Sequence, residues 1–232
     1  WTFNPTGAAT NGTVIPDLLT GAPATIVGIN ASRTGTSVTL PSGTNGRVAT
    51  GTIAAYIDLP NGIVSSKTNL TIEIWATIHS GRNWQRLFDF GSTNVVGSGN
   101  GEIPNTFGNP GETSSRDNLM LAAQRGGTIN DKRLVARNNG EGEIGADNTM
   151  STSYNQEYHY VATYQANANP ATGGRFTWYR NGAETAFVNT NFPLSSIDDV
   201  NNWLGRSQYS GDDNSNISYN EFRLYDYALS QA

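Results

Sequence analysis

The sequence contains no cysteine in 232 residues. Disulfide scaffolding, thiolate nucleophiles and Cys-built metal centres are therefore excluded. Histidine is nearly absent as well, with His79 and His159 the two examples, which is too few to build a zinc site without thiols. Only 14% of residues are charged and the net charge is −5. That leaves no electrostatic basis for gripping nucleic acid or an anionic membrane surface. Lysine is confined to Lys67 and Lys132, so positive charge is carried by arginine, whose planar fork bonds planar acceptors and stacks on rings. No apolar run approaches the roughly 20 residues of a membrane-spanning helix. No secretory leader is visible, and the chain opens with Trp1–Thr2–Phe3 and closes with Gln231–Ala232. It reads as a module cut from a larger protein.

Glycine is abundant, at 26 residues, and aromatics make up 10%. With many Thr, Asn and Ser, this composition favours turns and short strands over helices. The clearest strand is Leu70–Ile78, where Leu70, Ile72, Ile74, Ala76 and Ile78 alternate with Thr71, Glu73, Trp75 and Thr77. Period-two alternation predicts one buried face and one outer face. The clearest hairpin joins Arg175–Tyr179 to Glu184–Val188 through Asn181–Gly182, a pair suited to the positive φ angles of a type I′ turn. Further strands are predicted at Ala24–Ile29, Ser37–Leu40, Ala54–Leu59, Arg86–Phe90, Asn118–Ala123, Arg133–Arg137, Tyr158–Tyr164 and Ile217–Tyr225. In the last, Asn220 is expected on the face of Phe222 and Leu224. The stretch Thr93–Arg116 lacks a pattern and reads as a long loop. Regular strand spacing with Gly, Asn and Pro turns predicts one all-β sandwich domain over residues 1–232. Sequons at Asn11, Asn30, Asn69 and Asn216 arise easily in a chain so rich in Asn and Thr.

Seven segments, in order, resemble laminin-G-like (concanavalin A-like, pentraxin-related) jelly-roll domains. They are Val14–Gly28, Ala55–Leu59, Leu70–Ala76, Trp84–Gly91, Tyr158–Tyr164, Phe176–Glu184, and the closing pair Trp203–Ser207 with Tyr219–Ser230. The resemblance implies an all-β, two-sheet antiparallel jelly-roll sandwich. It also implies an extracellular recognition module, secreted or at the cell surface, with a glycan as partner. These are markers of fold and not of activity.

Calcium is the one cofactor the oxygen-rich composition suits. In related jelly-roll glucanases an acidic residue before the last strand binds a structural calcium, and Asn220 holds that place here. Asp117 and Asn118 resemble the pair that binds calcium in pentraxins. The further acidic ligands of that family would fall at Arg206–Tyr209, where this chain has none; Asp212 and Asp213 follow. The alternative is that Asp117 and Asn118 cap a loop.

Enzyme signatures are weak. The convergent E-x-D-x-x-E strand of jelly-roll glycosidases is lacking, and Glu141–Gly142–Glu143 reads as a hairpin end. Tyr158, His159 and Tyr160 offer the residue types of a polysaccharide lyase, but on a strand typical of the fold. For sugar binding, Trp84 with Arg82 beside it, and Tyr209, are better placed than Trp75 or Trp178, which read as packing residues. The expected site is therefore Arg82, Trp84, Asp117, Asn118, Arg206, Gln208 and Tyr209, in a non-catalytic carbohydrate-binding module. An adhesion or spacer module and a jelly-roll hydrolase or lyase are the alternatives.

Overall fold

A computed structural model describes residues 1–3, 9–43, 54–95, 112–169, 173–209 and 211–230. The strands are β1 (Thr13–Pro16), β2 (Pro23–Val27), β3 (Ser32–Arg33), β4 (Val38–Gly43), β5 (Tyr56–Leu59), β6 (Leu70–Ile78), β7 (Arg86–Val95) and β8 (Glu112–Ala122). They continue with β9 (Asp131–Arg137), β10 (Ile144–Thr149), β11 (Glu157–Asn169), β12 (Gly173–Arg180), β13 (Ala183–Asn189), β14 (Asn201–Leu204) and β15 (Asn214–Tyr225). One short 3-10 turn, Leu194–Ser196, is the only helical element among the described residues.

The strands form two antiparallel sheets. The eight-stranded sheet has the order β1-β2-β5-β14-β7-β8-β9-β10, and the seven-stranded sheet has the order β13-β12-β11-β6-β15-β4-β3. The alternation of β6 sends Leu70, Ile72, Ile74, Ala76 and Ile78 into the core, each at most 1% exposed. There they meet Phe88, Phe90, Leu119 and Leu121 of the other sheet, Phe222, and partly buried Leu224. Side chains alternate across each strand, so every strand also sends residues to an outer face, and those faces carry the candidate sites. The last two strands lie inside the sheets, β14 between β5 and β7 and β15 between β6 and β4. Both sheets are thus completed by contacts of high sequence separation.

Asn181 and Gly182 take φ of 50° and 81°, as the type I′ hairpin requires. Three expectations change. The unpatterned stretch from Thr93 contributes strand at both ends, since β7 runs to Val95 and β8 starts at Glu112; its middle, 96–111, lies outside the described residues. The polar residues of those strand ends mask the alternation, and three register shifts interrupt the β7–β8 ladder. β10 pairs with β9, where the sequence shows Gly, Asp and Asn in place of strand formers. Asn220 does not share a face with Phe222: the ladder to β6 shifts register between Tyr219 and Glu221. Ile217 and Tyr219 point inward before that bulge, Phe222 and Leu224 after it, and Asn220 is the extra residue.

Candidate functional site

Leu119, Leu121, Leu134 and Ala136 face the core, so Asn118, Met120, Ala122, Arg133, Val135 and Arg137 lie on the outer face of β8 and β9. Met120, Ala122 and Val135 form a separate apolar cluster there, and partly buried Trp84 packs on it. Trp84 holds φ at 54°, a left-handed conformation that costs a bulky residue energy and must be imposed by its surroundings. One restraint is Arg86, which donates to the Trp84 carbonyl oxygen. The guanidiniums of Arg86 and Arg125 stand 5.8 Å and 5.9 Å from the indole centre, within cation–π range.

Residues 205–209 and 211–213 fold back over the same sheet face. Gly205 takes φ of 79°, and a Cβ there would come within 2.3 Å of Leu40 Cδ1, so only glycine makes this turn off β14 without strain. Arg206 is buried, its guanidinium 4.2 Å over the Trp203 ring and 4.7 Å over Tyr56. Gln208 is buried too: its backbone N–H donates to Asp89 Oδ2 at 3.1 Å, and its amide donates to the Asn201 carbonyl at 2.8 Å. Arg86 donates to both Asp89 (3.1 Å) and Asp212 (2.6 Å). Burial pushes the Asp89 carboxyl up to about 6 against the pull of Arg86, and Asp212 is raised by burial as well. Arg206 and Gln208 are therefore clamps that fix the loop.

The clamped loop presents Tyr209. Its hydroxyl donates to Glu143 and accepts from Arg137 Nη1 at 3.1 Å. Burial first, and then the bond to Glu143, raise its pKa. The turn bearing Arg82 and Trp84 is tied to the same loop, since Asn83 and Asp213 exchange hydrogen bonds of 3.1 Å and 2.9 Å. Arg82 is partly buried, with its Nε lacking a partner among the described residues. Around Trp84 and Tyr209 the charges are paired: Arg133 with Glu143 (3.2 Å) and Asp147 (3.3 Å), and Arg125 with Asp147 (3.3 Å).

The structure thus brings the Arg82–Trp84 turn and the Arg206–Tyr209 loop together, and it divides the Asp117–Asn118 pair. The Asp117 carboxylate is buried and accepts the backbone N–H groups of Asn139 and, at 2.7 Å, Asp198, which ties two turns to β8. Asn118 lies on the outer face, registered between Gly91 and Arg137. It is fully buried, and both of its amide atoms lack a hydrogen-bond partner among the described residues. Such a group is costly unless water or a ligand reaches it. Sequence reasoning missed Arg125, Arg133 and Arg137 and read Glu143 only as a hairpin end; for Arg133 and Arg137 the period-two alternation of β9 was the available signal.

The other expected groups are placed as follows. Trp178 is buried in the core as a packing residue, but Trp75, expected to pack likewise, is 36% exposed. Tyr158 and Tyr160 enter the core while His159 points outward to Glu73, so these three do not converge. Glu141 and Glu143 lie in the exposed turn before β10. At the Asn220 bulge, the Asn220 amide donates to Glu157 Oε2 at 3.3 Å, and its carbonyl accepts the Phe3 N–H at 3.2 Å. No three His, Asp or Glu side chains cluster as a metal site among the described residues. Calcium takes roughly six to eight oxygens, more than the side chains of Asn220 and Glu157 offer.

Comparison with known proteins agrees with this architecture. No curated protein matches the chain in sequence. Domain 4 of AbnA, a GH43 extracellular arabinanase from Geobacillus stearothermophilus, solved with arabinotriose, superposes with a TM-score of 0.59 at 17% identity, over 93% of this chain and 88% of that one. The Ruminococcus gnavus IT-sialidase CBM40, bound to α2,3-sialyllactose, gives 0.55 at 17% identity over 84% and 91%. Trypanosoma rangeli sialidase gives 0.58 at 18% identity over 96% of this chain but 30% of its own. At these identities the likeness is one of fold. The family Laminin_G_3, of the concanavalin A-like lectin/glucanases superfamily, matches residues 50–232, and the chain belongs to that family.

Proposed function

We propose that this chain is a non-catalytic, secreted or cell-surface module of a larger protein that binds saccharide on the outer face of β8 and β9. The observation that carries the reading is the pairing of Trp84 and Tyr209 on one sheet face, each beside an arginine. Sugars bind through CH faces laid on aromatic rings and through hydroxyls bonded to planar polar groups. Trp84 would stack on a ring, and Arg82, Arg125 and Arg137 would bond hydroxyls. Asn118, fully buried, would lie beneath the saccharide and not bond it. Arg206, Gln208 and Asp117 act by holding these elements in place. Two of the similar structures hold oligosaccharides, arabinotriose and sialyllactose, which supports the same class of partner here.

A calcium held partly by Asn220 would serve the fold and not the saccharide of the β8–β9 face, because the bulge lies in the seven-stranded sheet.

A glycan array carrying arabinan fragments and sialosides, read with and without chelator, tests the function. Trp84→Ala tests the site. The cluster beneath Trp84 is small and apart from the main core, so binding is expected to fall while the melting temperature stays within a few degrees. A large drop in melting temperature would make Trp84 structural and overturn the site.

A further inference from the structure

The outer face of the seven-stranded sheet carries a second built constellation, away from Trp84. Glu73, pointing outward from the middle of β6, is bonded from both neighbouring strands. It pairs with His159 Nε2 of β11 at 2.8 Å, accepts the Tyr225 hydroxyl of β15 at 2.8 Å, and lies 3.4 Å from Arg223 Nη1. Burial alone would raise the Glu73 pKa, but the bonds from Tyr225 and His159 and the charge of Arg223 hold it below the usual carboxylate range. One step along β6, Trp75 stacks on His159 with ring centres 4.4 Å apart and planes 20° from parallel. The indole is thereby fixed against a ring that is itself fixed by Glu73, yet it remains 36% exposed. A rigid, exposed aromatic plane loses little entropy when a ligand covers it.

Two of these residues, Arg223 and Tyr225, also wall a cavity. Glu221, Arg223 and Tyr225 line a space of about 620 Å³ closed by Leu18 and Leu19 of the β1–β2 turn, Lys67, and Tyr227. Its size is that of a small-molecule pocket. Leu18, Leu19 and Tyr227 are 69%, 94% and 49% exposed, an unusual display of apolar surface around one opening. Arg223 and Tyr225 thus face the Glu73 network on one side and the cavity on the other, making the indole platform and the cavity one continuous surface.

We propose that this surface is a second saccharide site, in which Trp75 and Tyr227 stack on sugar rings and Glu221 and Arg223 bond their hydroxyls. Its formal charges are the carboxylates Asp17, Glu73, Glu221 and Asp226 against the cations Lys67, Arg223 and the Trp1 ammonium, which pairs with Asp17. The excess of carboxylates repels acidic sugars, so the ligand is a neutral chain. The proposal uses no residue of the β8–β9 face and does not rest on it.

The test uses the Trp84→Ala protein, in which the first face is disabled, titrated calorimetrically with cellohexaose, xylohexaose and arabinohexaose, and with oligogalacturonate as the acidic control. Binding of a neutral hexaose that survives Trp84→Ala and weakens roughly tenfold or more on adding Trp75→Ala, the effect of losing a central aromatic contact, supports the second site. If Trp75→Ala lowers the melting temperature sharply, Arg223→Ala carries the test, since that side chain is 48% exposed and is expected to weaken binding with the fold intact. Three outcomes overturn the proposal: no hexaose binds the Trp84→Ala protein, the two substitutions leave the affinity unchanged, or oligogalacturonate binds as well as the neutral chains. Binding by the unsubstituted chain that Trp84→Ala abolishes would overturn the second site while supporting the first.

Discussion

Lys132 is a buried cation with no carboxylate bonded to it among the described residues, and replacing it with methionine is expected to stabilise the protein. It lies on the inward side of β9, fully buried, with its ammonium donating to the Ile129 carbonyl. Burial, and then the charge of Arg180, lower its pKa from 10.5 to about 8. At about 1.4 kcal/mol per pH unit, that gap makes the charged lysine about 3 kcal/mol less favourable in the folded than in the unfolded chain. Methionine keeps an unbranched stem of similar length and removes the charge, but loses a hydrogen bond worth about 1 kcal/mol. The net gain at pH 7 is about 2 kcal/mol, or roughly 4–8 °C in melting temperature for a chain of this size. The sign with pH follows from proton counting. Between pH 8 and 10.5 the folded state has released the proton and the unfolded state still holds it, so the unsubstituted protein gains stability as pH rises. Urea denaturation at pH 7 and pH 10 should show Lys132→Met well ahead at pH 7 and the difference closed or reversed at pH 10. A variant less stable at pH 7, or a difference equal at both pH values, would refute the reasoning.

Two further outcomes are expected. Ile74→Ala, at a site 1% exposed between the sheets, should cost roughly 2–5 kcal/mol in urea denaturation, and a cost below about 1 kcal/mol would contradict the core assignment. If calcium binds at Asn220, the melting temperature should rise with free calcium and fall in chelator, because an ion that binds only the folded state adds stability by mass action; equal melting in the two conditions removes the ion.

Local pattern determined much of the fold. The alternation of Leu70–Ile78 placed five side chains in the core, and Asn181–Gly182 placed a hairpin turn, because period-two burial and positive φ depend on neighbouring residues alone. Sequence could also put Trp84 at a turn with polar neighbours. Only tertiary structure decided what those neighbours do. Arg206 and Gln208 look like free ligand groups in a loop, but Tyr56, Trp203, Asp89 and Asn201, distant in sequence, hold them down. A single bulge at Asn220 reverses the facing of the residues before it, and no alternation rule contains that shift. Alternation along β6 put Trp75 opposite the apolar face, but not against His159. That stack requires β11 to lie beside β6 in register, a matter of strand order that is set by contacts between distant segments.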